Sequence, residues 1–110
     1  MEAKRSVELT CPECRGPITE IQTGEMREYR CLVGHAYSPR SLLESHSETQ
    51  ERMLWAAVVA LEETMNIAGL VASQFSPAVA QKLQEQAQVK VRQAAEIRKI
   101  LERLEPFQFE

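Results

Sequence analysis

The sequence predicts a mostly helical α+β fold, in which a small β-hairpin region precedes a long antiparallel pair of helices. All three cysteines and three of the four glycines lie before Arg40. Beyond Arg40 apolar residues recur at the three- and four-residue spacing of a helix, and a Ser-Pro pair at 76–77 interrupts them once. The first region therefore favours turns and short strands, and the second favours two helices.

Two short strands are expected before Arg40. Residues 18–21 and 26–29 are short apolar alternations of the kind that forms strands, and residues 23–25 (Thr-Gly-Glu) supply a hairpin turn between them. The first ten residues are polar and are left without a predicted element.

The two helices are predicted from their start signals. Ser38 and Ser76 each precede a proline, so that the serine can cap the backbone N–H groups while the proline takes the first helical position. Helices over about 39–75 and 77–104 follow, and the short connection makes them antiparallel. The expected domains are thus a metal-binding ribbon at 1–37, a helical hairpin at 38–105 and a tail at 106–110.

The contact between the helices is predicted from two apolar stripes. The stripe on the first helix has alternating spacings of four and three, as in a coiled-coil seam. Its members are Leu54, Val58, Leu61, Met65, Ala68, Ala72 and Phe75, and those of the second helix are Ala80, Leu83, Ala87, Val91, Ala94, Ile97, Leu101 and Leu104.

The first helix carries more apolar surface than one seam can cover. Residues 54–61 (LWAAVVAL) are apolar on every side of the helix, and Trp55 and Val59 lie off the seam. A second copy could cover this Trp55–Val59 face in a homodimer, or a signalling protein could bind there. The alternative is that Trp55 folds over the edge of its own hairpin. The tail phenylalanines, Phe107 and Phe109, are expected either to cover the strands or to fray.

Three cysteines and one histidine have the spacing of a metal site. Cys11 and Cys14 form a C-x2-C pair, and Cys31 and His35 form a C-x3-H pair, with sixteen residues between Cys14 and Cys31. Three thiolates and one imidazole suit a closed, structural Zn²⁺ site in a zinc ribbon. Iron in a rubredoxin-like site and a redox-active thiol pair remain alternatives, and His46 is a rival fourth ligand.

Composition and motifs disfavour several other function classes. The chain has 110 residues and a formal net charge of -3, and the first forty positions show no basic excess, which disfavours binding to nucleic acid or to anionic membranes. An odd number of cysteines indicates reduced thiols and a cytoplasmic setting. No apolar run approaches the roughly 20 residues of a membrane span, and the start is not a signal peptide. Catalytic motifs are lacking, so a non-enzyme is expected.

Three segments of the sequence resemble those of a known family. The stretches TCPECRGPI, YRCLVGHAYSP and LWAAVVALEE occur in this order. They resemble the zinc-ribbon and helical segment that follows the catalytic domain in many chemotaxis-type protein-glutamate methylesterases. The resemblance covers residues 9–64 and implies metal ligands at Cys11, Cys14, Cys31 and His35. The catalytic domain itself is absent, and Arg15-Gly16 replaces the family's Gly-Gly.

The expected function is a non-enzymatic, zinc-binding protein–protein interaction or oligomerisation module. The resemblance implies that it is accessory to a bacterial chemosensory or two-component system. Two other classes stay open from the residues alone: a zinc ribbon that binds nucleic acid as a regulator, and a thiol or metal sensor.

Overall fold

The computed structural model describes residues 2–110 and separates them into two compact units. The first unit comprises the residues up to Gln50 together with Pro106–Glu110, and the second comprises Glu51–Glu105. The architecture is a four-stranded antiparallel sheet followed by two helices, which confirms the predicted mostly helical α+β class.

The sheet is a simple meander in which sequential strands are neighbours. Its order is β1-β2-β3-β4, and all three pairings are antiparallel. The strands are β1 (Glu2–Thr10), β2 (Pro17–Thr23), β3 (Met26–Cys31) and β4 (Ala36–Tyr37). The predicted hairpin is β2–β3, where Thr23 pairs with Met26 across a turn in which Gly24 has a φ of +64°. Because L side chains rarely adopt this φ, glycine suits the turn.

Strands β1 and β4 were not predicted from the sequence. Nearly every residue of β1 is exposed, and only Val7 is half-buried, so no apolar alternation marks the strand. Its pairing with β2 also shifts register between Ser6 and Thr10. Strand β1 therefore forms through its backbone hydrogen bonds to β2, and the pattern of its side chains does not indicate a strand. Strand β4 has two residues, too few to show a period.

The core of the first unit is a small cluster that includes two cysteines. Cys11, Ile18, Cys31 and Tyr37 are buried together, and Val7, Cys14, Tyr29 and Leu42 pack against them. The tail phenylalanines stay largely exposed, and Phe109 lies against the Arg40 guanidinium, 4.7 Å from its carbon to the ring centroid.

The Glu20 carboxylate is buried in the sheet, and each of its oxygens has a polar partner. Glu20 on β2 is 6% exposed. Its Oε2 accepts a 2.8 Å hydrogen bond from the Tyr29 hydroxyl, and its Oε1 lies 3.1 Å from an Arg5 nitrogen. A buried carboxylate needs such partners, because loss of hydration is otherwise costly.

The helices begin where the Ser-Pro pairs predict. Helix α1 spans Pro39–Val71, a 3₁₀ turn spans Ala72–Gln74, and α2 spans Pro77–Glu102. The Ser38 Oγ accepts a 3.1 Å hydrogen bond from the Ser41 N–H, and the Ser76 Oγ accepts one of 3.3 Å from the Val79 N–H. The first α-helix ends four residues before the predicted position, because its last turn tightens into the 3₁₀ form.

Part of the predicted seam is buried in the second unit. Its buried members are Val58 and Ala68 on α1 and Ala87 and Ala94 on α2. Two predicted members are instead exposed, Phe75 at 51% and Leu104 at 45%, and Leu104 lies beyond the end of α2. Beside the seam, Arg98 forms a bidentate pair with Glu62, at 3.0 and 3.2 Å, and places its guanidinium 5.4 Å from the Trp55 ring centroid. Arg98 thus covers part of Trp55, which remains 43% exposed.

The α1 helix with its 3₁₀ extension, Pro39–Gln74, is long and apolar enough to cross a membrane by length and composition alone. Glu62 and Glu63 interrupt its apolar sequence, and little of the apolar stretch is buried within the chain. A single helix of this kind is weak support for a membrane span, because helices of soluble proteins pass the same test.

Candidate metal centre

The first cysteine pair lies in the turn between β1 and β2. The Cys11 N–H donates a 2.7 Å hydrogen bond to the Gly16 carbonyl, and the Arg15 N–H donates one of 2.9 Å to the Cys11 carbonyl. These bonds close a tight loop that turns both sulfurs to one side. Closing it requires Arg15 to adopt a φ of +66°, where a residue with a Cβ is strained.

Cys31 ends β3, and His35 ends the turn that leads from it to β4; this turn is built in the same way. The Gly34 N–H donates a 3.2 Å hydrogen bond to the Cys31 carbonyl, and the Cys31 N–H donates one of 3.1 Å to the His35 carbonyl. Gly34 occupies the left-handed region with a φ of +111°. The two turns therefore have the same hydrogen-bond pattern, and each contains a residue with a positive φ. Arg15 directly follows Cys14, and Gly34 directly precedes His35.

The sheet brings the two turns together. The ligand atoms of Cys11, Cys14, Cys31 and His35 all lie within 4.8 Å of one another. The His35 Nδ1 is 3.3 Å from the Cys31 sulfur and 3.6 Å from the Cys11 sulfur. Bonds of about 2.3 Å to sulfur and 2.0 Å to nitrogen at tetrahedral angles give nitrogen–sulfur edges of about 3.5 Å. The four residues can therefore hold a metal ion.

Backbone N–H groups favour thiolates at this site. The His35 N–H donates to the Cys31 sulfur at 3.3 Å, and the Gly16 N–H donates to the Cys14 sulfur at 3.5 Å. Burial raises the pKa of Cys31, but hydrogen bonds from the His35 N–H and from other neighbours outweigh it and lower that pKa to about 6. Burial likewise opposes the ionisation of Cys11, whose pKa is nevertheless lowered by the Tyr37 hydroxyl and nearby N–H groups.

The third thiol has the opposite pKa shift. The Gly16 N–H lowers the pKa of Cys14, yet burial and the neighbouring Cys31 and Cys11 together raise it above its ordinary value. Three thiolates at this separation would repel one another. A divalent ion held by them would offset that repulsion.

Two side chains next to the ligands were not identified from the sequence. The His35 Nε2 lies 3.0 Å from a Glu13 oxygen, so Glu13 can accept a hydrogen bond from the Nε2–H group and thereby leave Nδ1 free to ligate. The Tyr37 hydroxyl lies 3.4 Å from the Cys11 sulfur, to which it can donate. The only sequence signals are positional: Glu13 lies inside the C-x2-C loop, and Tyr37 follows His35 by two residues.

Helix α1 also supports the first turn. The Thr49 hydroxyl donates a 3.1 Å hydrogen bond to the Pro12 carbonyl, and both residues are buried. The rival ligand His46, by contrast, is exposed and outside the ligand cluster. It lines a cavity of about 480 Å³ whose walls are mainly apolar residues such as Leu9, Tyr29 and Leu42.

The site thus combines three thiols and one imidazole with hydrogen-bond donors for the sulfurs and a carboxylate for the outer histidine nitrogen. No family model matches the chain, and no curated protein or solved structure is significantly similar to it.

Proposed function

We propose that this chain is a non-enzymatic zinc-binding module of the cytoplasm that mediates protein–protein contacts. Its metal is a structural Zn²⁺ held by Cys11, Cys14, Cys31 and His35. The resemblance of residues 9–64 to the segment of chemotaxis-type methylesterases supports a role beside a chemosensory or two-component system.

The convergence of the four ligands carries the proposal. Four protein ligands fill a tetrahedral Zn²⁺ site and leave no position for an activated water, which is the arrangement of a structural rather than a catalytic ion. The Glu13 carboxylate against the outer nitrogen of His35 supports the same reading, because metal-bound histidines commonly hold such a partner. An imidazole in the set favours zinc over the all-cysteine site of a rubredoxin-like iron protein.

The protein–protein role is supported by the surface of α1. Large apolar side chains remain exposed along it, among them Val59, Ile67 and Leu70. An apolar surface of this extent on a small chain is typical of a contact site. The formal charge of -3 supports a protein partner over nucleic acid.

Metal analysis of the purified full chain tests the zinc assignment. We expect one Zn²⁺ per chain, and Co²⁺ substitution should give the absorption of a tetrahedral thiolate site. His35→Ala should weaken metal binding strongly, whereas His46→Ala, the matched control, should leave it unchanged. Loss of metal in the His46 variant, or a chain purified with iron, would contradict the assignment.

The same preparation separates the two other function classes. Zinc well below one per chain together with a reversible Cys11–Cys14 disulfide would favour a thiol or metal sensor. Binding of generic duplex DNA that weakens steeply with salt would favour a nucleic-acid regulator.

A further inference from the structure

Helix α1 carries a second stripe, apolar except for Glu63, besides the one whose members are buried toward α2. Its six residues are spaced three, four, three, four and three apart, which is the pattern of a coiled-coil seam. All six are exposed, with Ile67 at 56% and Leu70 at 79%. The outer stripe consists of Met53, Ala56, Ala60, Glu63, Ile67 and Leu70.

The outer stripe lies away from α2. With 3.6 residues per turn, its mean direction is roughly opposite that of the buried seam residues Val58 and Ala68. The exposed residues of α2, in contrast, are mostly charged or amide side chains. The uncovered apolar surface of the hairpin is therefore concentrated on one helix, and the covering partner should present a helix with matching spacing.

The spacings along the outer stripe are the same when they are counted from either end of the helix. An antiparallel two-fold pairing of two α1 helices therefore places the stripe of one copy on that of the other in register. Met53 then faces Leu70 of the second copy, which pairs two large apolar side chains. Ala56 faces Ile67, so there a small side chain meets a large one, as close packing favours. Ala60 faces Glu63, whose methylene groups can cover the alanine.

We propose that the occupant of the outer stripe is a second copy of this chain, bound antiparallel about a two-fold axis between Ala60 and Glu63. This proposal rests on the protein–protein role proposed above and assigns its partner and contact surface. Trp55 lies outside the stripe, under Arg98, so it flanks the interface rather than forming its centre.

Glu63 distinguishes this occupant from a lipid surface. A carboxylate in the middle of the stripe is costly to bury in the hydrocarbon of a membrane. At a helix–helix contact its methylene groups can pack while the charged group reaches water at the edge of the interface. The stripe is about 26 Å long at 1.5 Å per residue, which is short for a stable interface. Specific interfaces bury about 800 Å² per partner, and one below that size gives a dimer of micromolar affinity.

Charge variants at the axis test the pairing by sedimentation equilibrium of the full chain between about 1 and 100 µM. Ala60→Lys places a lysine opposite Glu63 of the other copy and should preserve or tighten the dimer. Ala60→Glu places two carboxylates together and should weaken it about tenfold or more. The double variant Ala60→Glu with Glu63→Lys should restore it, and Gln88→Glu on the polar side of α2 should change nothing.

Each other outcome overturns the proposal. A wild-type chain that is monomeric throughout this range rules out the dimer, and equal effects of Ala60→Lys and Ala60→Glu rule out this register. Flotation with phosphatidylcholine vesicles that is lost in Ile67→Glu would assign the stripe to a membrane. The zinc content and far-ultraviolet circular dichroism of every variant should match the wild type, so failure of the dimer is separable from failure of the zinc module.

Discussion

The Thr49 hydroxyl reaches from helix α1 to the Pro12 carbonyl, 3.1 Å away, and so links the helix to the loop that carries the first two ligands. Thr49→Val keeps the shape of the side chain but leaves this buried carbonyl without its donor. We expect a loss of about 1–2 kcal/mol in the free energy of unfolding. Urea unfolding of the metal-loaded chain, followed by tyrosine fluorescence, measures it.

The matched control is Thr49→Ser, which retains the hydroxyl. It should lose clearly less stability than Thr49→Val. Equal losses in the two variants would mean that packing of the methyl group, rather than the hydrogen bond, is what matters.

The contact between Glu13 and His35 should tune metal affinity. Glu13→Gln removes the charge that holds the outer histidine proton, and such changes typically cost 10–100-fold in affinity. Competition with a chromogenic chelator measures the dissociation constant. Glu25→Gln, in the β2–β3 turn, is the control and should leave the affinity unchanged; an unchanged affinity in Glu13→Gln would show that the contact does not support the ligand.

The strained backbone of Arg15 predicts a stabilising substitution. Arg15 has a φ of +66°, and glycine adopts that conformation without the Cβ clash. Arg15→Gly should therefore raise the free energy of unfolding by about 0.5–1 kcal/mol, after the added entropy of the unfolded chain is counted. Gly34→Ala, at a φ of +111°, should lower it instead. Melting temperatures that move in the same direction for both would contradict this explanation.

Glu20 should make stability depend on pH. The Tyr29 hydroxyl outweighs burial and, with Arg5, lowers the pKa of Glu20 below its ordinary value. A carboxylate with a lowered folded-state pKa stabilises the fold above its unfolded pKa of about 4.3, and this stabilisation is lost as the pH falls through the folded-state value. The stability difference between the wild type and Glu20→Gln should therefore shrink from pH 7 to pH 3.

Comparison of the two chains at each pH cancels the effect of acid on the metal ligands, because both chains share it. Glu25→Gln should differ little from the wild type at any pH. A gap for Glu20→Gln that stays constant down to pH 3 would contradict the lowered pKa.

The sequence predicted those features that local chemistry determines. Ser38 and Ser76 cap their helices as expected, because a serine followed by proline favours a helix start whatever surrounds it. The four residues of the metal cluster were predicted from their spacing, because a short loop can place two ligands on one side. His46 has no cysteine a few residues away with which it could form such a pair, and it lies outside the cluster.

Features that depend on contacts between distant segments were not predicted. Strand β1 exists through its pairing with β2, and its exposed side chains leave no pattern. The contact of Thr49 with Pro12 joins positions 37 residues apart, and nothing in either segment indicates it. The role of Glu13 likewise becomes visible only when the sheet brings His35 beside it.

Cys11 and Cys31 belong both to the candidate metal cluster and to the buried cluster at the centre of the first unit. Removal of the proposed zinc would therefore disturb the interior of the sheet as well, whereas the buried residues of the second unit would be unaffected. A protease added to the metal-free chain would then cut within the first fifty residues faster than within Glu51–Glu105. The lifetime of the intact polypeptide would thus depend on the supply of the metal.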